Sequence, residues 1–240
     1  MPRPALLVRR SVLLPTAWGW LVLAILAAAA LLTFVRGVHG FLAPRQGVGA
    51  ELLVVEGWLD SDGLDQAVEV ARSGGYRRIL TSGGPITSWS ELLGFSSHAE
   101  LAADYLVRSG LPAGSVIAVP APASAQDRTF LSAVEVRDWL QREGLTPARL
   151  DVLSSGCHAR RTRLLYRMAF GPDTEVGILA ARPGLYEPER RWRTSVGAKT
   201  VLLELASLLW TELCFWPGPP GSAEERWAVP AESAAPIEEG

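Results

Sequence analysis

Five short apolar runs alternate with amphipathic stretches through the middle of this chain, and that alternation narrows the possible folds more than any other feature. The runs are Leu52 to Val55, Arg78 to Thr81, Val116 to Val119, Leu150 to Leu153 and Val176 to Leu179. Helical stretches lie between them, over Asp62 to Ala71, Ser97 to Gly110, Arg128 to Arg142 and Cys157 to Phe170. A strand, a crossover helix and a further strand bring the chain back in the same direction. Five strands with four right-handed crossovers therefore predict an α/β class, a three-layer sandwich with a mostly parallel five-stranded sheet covered on both faces. The alternation sets the class and leaves the strand order open.

Upstream, Trp18 to Val35 runs 18 residues without a charge. That is close to the roughly 20 residues a helix needs to cross the hydrocarbon layer. A secretory signal is the competing reading, because Ala27 and Ala29 form an A-x-A pattern. Cleavage there would leave Leu31, Leu32, Phe34 and Val35 at a greasy new terminus, which favours an uncleaved anchor. Arg3, Arg9 and Arg10 precede the span, whereas Arg36 and Arg45 follow it. The positive-inside rule then places the N-terminus in the cytoplasm and the globular part outside. The expected organisation is a basic cytoplasmic segment (1–16), one transmembrane helix (17–36), a linker (37–50), an α/β domain (51–217) and a disordered acidic tail (218–240). Val201 to Trp216 is apolar, but Glu204 and Glu212 interrupt it; a second span would bury two carboxylates, so it reads as a helix packing on the sheet.

Charge and cysteine content exclude several functions. Lys+Arg 23 against Asp+Glu 25 leaves no basic surface for nucleic acid. Two cysteines make no disulfide framework, and His39, His98 and His158 are too scattered for a metal motif.

In parallel sheets ligands bind beyond the carboxyl ends of the strands, so the loops leaving each strand hold the candidate residues. They are Glu56-Gly57-Trp58, then Thr81-Ser82-Gly83-Gly84, then Ser124 to Thr129, and last Ser154 to Arg161. Gly83 and Gly84 permit close backbone approach to an anion, or simply form a tight turn. After them comes a loop of about a dozen residues with Trp89, Glu91 and Phe95, long enough for a binding loop. On the helix from Cys157, Arg161 falls inside the apolar arc of Leu164, Leu165, Met168 and Ala169. An inward guanidinium needs a bound anion or a buried partner such as Glu56 or Asp127. His158 lies one turn earlier at the helix start, suited to proton transfer or to a plain backbone hydrogen bond. Thr129 continues the row Ala133, Val136, Leu140 toward the crevice, or supports Asp127 as helix cap. Glu100 is explained by the capping box Ser97-His98-Ala99-Glu100, without any ligand. Cys157 reads as a small buried thiol rather than a nucleophile.

Taken in order, these residues resemble the YdcF/ElyC/SanA family of bacterial envelope-associated proteins, over about residues 50–180. Thr81-Ser82-Gly83-Gly84 matches the family's strand ending in Ser-Gly-Gly. Glu100 matches its acidic residue at the next helix, Thr129 its Thr after the third strand, and His158 with Arg161 its His-x-x-Arg. The chain departs from the pattern at Glu56-Gly57-Trp58, where many members have Gly-Gly, and at Ser132, where they have Asn. The resemblance implies a Rossmann-like fold and a single-pass protein of the bacterial inner membrane. It also implies a role in cell-envelope or peptidoglycan precursor metabolism at the undecaprenyl-phosphate carrier step. The expected function is to bind and process a phosphorylated, lipid-linked intermediate. His158, Arg161 and Glu56 would be catalytic, and Ser82, Gly83, Gly84, Glu100, Asp127 and Thr129 would bind the ligand. The alternative is a non-catalytic module for a nucleotide-like ligand or S-adenosylmethionine, or an envelope scaffold. No G-x-G-x-x-G fingerprint accompanies the nucleotide option.

Overall fold

The computed structural model describes residues 13–86, 94–124 and 128–226. Asp127, Trp89, Glu91, the arginines at 3, 9 and 10, and the tail from 227 onward lie outside the described residues. By its internal contacts the chain divides into a first unit ending at Val38 and a second beginning at His39.

The first unit is dominated by helix α1, Ala17–Leu42, whose last turn belongs to the second unit. It runs six residues past the expected end of the span. Its length and composition suffice to cross a membrane, a test that a signal sequence also meets.

The second unit is an α/β sandwich. Its strands are β1 (Arg45–Gln46), β2 (Leu52–Glu56), β3 (Arg78–Gly83), β4 (Val116–Pro120), β5 (Arg149–Ser155) and β6 (Glu175–Ala181). They lie in the order β1-β6-β5-β2-β3-β4. β2 to β6 are parallel, whereas β1 adds to the edge antiparallel, pairing Arg45 with Leu179 and Gln46 with Ile178. The sheet thus has six strands rather than five. The sixth falls in the segment expected to be a linker, because a two-residue strand carries no readable alternation. Asp151 ties this segment down: its carboxylate accepts the amides of Val48 and Ala50 and the Tyr76 hydroxyl.

Successive β2 residues point to opposite faces, and both faces are buried. Leu52 and Val54 join Leu80, Val119, Val152 and Ile178 beneath α4 (Arg128–Arg142) and α5 (Ala159–Phe170). Leu53 and Val55 join Ile79 and Leu153 beneath α2 (Ser61–Ser73) and α3 (His98–Arg108). Each fully buried aliphatic side chain contributes about 1.5–3 kcal/mol relative to exposure. Local signals start and stop these helices. Asp60 caps α2 by accepting the Gly63 amide, Gly75 follows its end at φ 69°, and Ser97 and Glu100 form a complete capping box on α3.

α6 (Ser195–Cys214) departs from expectation. It packs on α5 and on the 3-10 turn Gly156–His158 rather than on the sheet. The first residues of the expected acidic tail are part of the fold. Ala223–Arg226 forms a 3-10 turn, and Glu225 is buried where it pairs with Arg137 of α4.

Candidate functional site

Chain direction across the sheet reverses between β2 and β5, since β3 and β4 continue to one side and β6 to the other. A crevice opens outside the strand carboxyl ends at such a reversal. Here a cavity of about 380 Å³ occupies that end, a volume suited to a small ligand. Glu56 and Trp58 reach it from β2, Ser82, Gly83 and Gly84 from β3, and Ala121 to Ser124 from β4. Arg128, Thr129 and Ser132 come from the start of α4, and His158 from the turn after β5.

His158 is the hub. The turn that carries it begins at Gly156, whose φ of 36° favours glycine, and leads directly into α5. Its ring meets the Trp58 indole edge-on at 5.0 Å between centroids. Nε2 lies 3.3 Å from the Thr129 hydroxyl and 3.8 Å from Glu56 Oε1, while Nδ1 lies 3.1 Å from Glu204 Oε2 and 2.9 Å from Arg161 Nη2. With its proton on Nδ1 the ring donates to Glu204 and offers Nε2 as an acceptor to Thr129. With Nδ1 bare it accepts from Arg161, and Nε2 carries the proton. Both tautomers are partnered, the condition for a group that takes up a proton on one side and holds its charge on the other.

The two carboxylates facing this ring differ in their environments. Complete burial pushes the Glu56 carboxyl up, against the opposing pull of His158 and of the Ser154 and Thr162 hydroxyls. Thr162 Oγ1 donates to it at 3.3 Å. Burial would raise Glu204 as well, but the hydrogen bond and charge of His158 and the Arg161 guanidinium outweigh it and bring that carboxyl down to about 2. One acid held toward its neutral form and one held ionised, both beside one imidazole, divide acid and counter-charge roles between them.

The structure places the sequence candidates unequally. Glu56, Ser82, Gly83, Gly84, Thr129 and His158 converge on the cavity. Arg161 is inward, as its helical phase requires, but its partner is Glu204 rather than Glu56: Nε donates at 3.1 Å, and Arg161 does not line the cavity. Glu100 is also outside the cavity wall; its carboxylate accepts the Ser96 and Ser97 amides and the Ser96 hydroxyl, the capping role. Gly83 has a packing reason to lack a side chain, since a Cβ there would come within 2.9 Å of the His98 Cβ. Gly84 has room for one, its nearest neighbour being the Pro122 carbonyl at 3.8 Å. Cys157 is buried against the Tyr186 hydroxyl at 3.5 Å, and burial pushes its thiol up, away from nucleophilic character. Sequence reasoning missed Glu204 and Arg128. A signal for Glu204 existed: Val201, Glu204, Leu208 and Thr211 recur at i, i+3, i+7 and i+10, the inner face of one helix. No protein-family model and no curated protein sequence matches this chain.

Proposed function

We propose that the domain is a membrane-anchored enzyme that binds a phosphorylated, lipid-linked intermediate of the bacterial cell envelope and cleaves its phosphate or pyrophosphate ester. The observation that carries this reading is His158, held through Nδ1 by an ionised carboxylate while Nε2 faces the cavity and a hydroxyl. Nε2 takes the proton of the attacking water as it adds to phosphorus. The bond to the bridging oxygen breaks, that oxygen leaves with a proton from Glu56, and Glu204 balances the imidazolium. Arg128 supplies the cavity's guanidinium for the phosphate oxygens. The anchor is α1, whose last residues are built into the domain: Leu42 is fully buried, and Arg160 donates to the Phe41 carbonyl. Removal of α1 at Ala29 would leave 13 residues of it attached to the domain.

The test is phosphate release from a polyprenyl diphosphate and from p-nitrophenyl phosphate by the full-length protein in detergent. His158→Ala should abolish turnover while the phosphorylated compound still binds.

A second reading is favoured by one feature, the cavity wall of Trp58, Pro85, Ala121, Pro122 and Ala123, an apolar platform on which a nucleotide-like ligand could stack. It predicts binding by the wild type with no turnover to lose.

A further inference from the structure

α6 carries apolar side chains all round, and among the described residues one side of it has no cover. At about 100° per residue, Leu202, Leu203, Ala206, Leu209, Trp210 and Leu213 fall within an arc of about 120°. The five large ones are each 48–69% exposed. Trp216, just past the helix end, is 83% exposed. Single exposed leucines are ordinary, whereas a contiguous apolar strip 12 residues long marks an interaction surface. Both carboxylates of the helix lie off this arc. Glu204 points the other way, to His158, and Glu212 falls on the flank. The arc's only charge is Lys199, whose long stem can reach sideways to water or an anionic headgroup.

We infer that this face lies in the lipid interface, with its leucines and Trp210 among the acyl boundary. The inference rests on reading α1 as the anchor. Val35 ends the charge-free run, and the domain starts at His39, four residues on in the same helix. At 1.5 Å per residue that tether is about 6 Å long. Within the domain, α6 packs on α5, and Arg160 of α5 sits over the Phe41 ring at 3.9 Å, next to the same entry point. A surface held this close to lipid meets it at far higher effective concentration than it meets a second copy. Tryptophans on such a strip suit the interface, where one edge of the ring is wet and the rest apolar. The helix that touches lipid on its outer side also holds the catalytic imidazole on its inner side, so membrane contact and site geometry share one element.

The experiment uses the full chain with Cys214→Ser, in phosphatidylethanolamine and phosphatidylglycerol vesicles at less than one copy per vesicle. Cys157 is buried and stays unlabelled. Nitroxide labels are placed by Leu209→Cys, Leu213→Cys and, as a control on the domain surface, Glu143→Cys. The Leu209 and Leu213 labels should collide with oxygen several-fold more than with a water-soluble nickel complex, and the Glu143 label should show the reverse. Equal nickel access at all three overturns the inference while leaving the anchor intact, and so does shielding that appears only at many copies per vesicle. A chain that carbonate washes off the vesicles overturns the anchor reading and removes the tether with it.

Discussion

Glu204 and Glu56 face the two nitrogens of one buried imidazole, and their opposite displacements make the site's pH response readable. The Glu204 carboxyl is lowered from 4.5 to about 2 in the folded protein. Its contribution to stability is therefore complete above about pH 4.5 and is lost as the pH falls toward 2. That difference corresponds to at most on the order of 3 kcal/mol, with less expected because the carboxylate keeps some solvent contact. Glu204→Gln should lower the denaturant midpoint at pH 7 and flatten the decline between pH 4.5 and 2. Equal midpoints and parallel acid profiles for the two proteins would show that the carboxylate does no such work. Helical phase alone made Arg161 legible as an inward cation in need of an acid. Its partner was not legible, because Glu204 lies 43 positions on, in a helix that reads as apolar with two interruptions. Glu56 and Asp127 were the acids nearest the strand ends, and proximity in a topology diagram does not say which helix packs alongside α5.

At the scale of elements, the same logic applied to α4 explains why residues 223–226 are held to the domain. Arg137 lies amid Phe130, Ala133, Val134 and Leu140 on the buried side of that helix and is itself 5% exposed. Its guanidinium donates two parallel bonds to Glu225 at 2.7 and 2.8 Å, and one of its nitrogens also reaches the Ala169 carbonyl. Arg226 extends the clasp to Glu135 and Asp138. A stranded buried charge costs about 3–5 kcal/mol, but Arg137 also pairs with Asp138 at 2.7 Å, so the loss of Glu225 removes charge-assisted bonds worth about 1.5–3 kcal/mol. Glu225→Ala should lose stability of that order in denaturant unfolding, whereas Glu224→Ala, outside the clasp, should change little. Similar midpoints for both variants would mean that residues 218–226 are an unattached tail after all. Composition hid this element: a stretch rich in Pro, Ala and Glu reads as solvated, and only the arginine embedded in the apolar side of α4 signals that an acid must return to it. Strand and helix positions were far more legible, because burial on both faces of β2 imposes a continuous apolar run, Leu52 to Val55, that no loop would carry.

For the whole molecule, the alternation of runs and helices specified the layers, but the reversal of strand order that opens the crevice between β2 and β5 arises from long-range pairing, on which local pattern is silent. With α1 read as a membrane span, its orientation is decided by charges at its two ends. Three arginines, at 3, 9 and 10, precede the apolar run, and Arg36 and Arg45 follow it; basic residues near a span are retained on the cytoplasmic side. Arg45 is further committed to the domain, where it donates to the Ala180 carbonyl at 3.0 Å. Under the proposed function the three N-terminal charges favour a cavity outside the cytoplasm, where a phosphorylated ligand carried on a polyprenyl chain would meet it after crossing the bilayer. A C-terminal alkaline phosphatase fusion should be active and a C-terminal green fluorescent protein fusion dark. Replacing the arginines at 3, 9 and 10 with asparagine should weaken that asymmetry, since the remaining basic residues all lie on the domain side. A fluorescent fusion with an inactive phosphatase would put the site in the cytoplasm, and a phosphorylated ligand would then have to be recognised before, not after, its passage through the membrane.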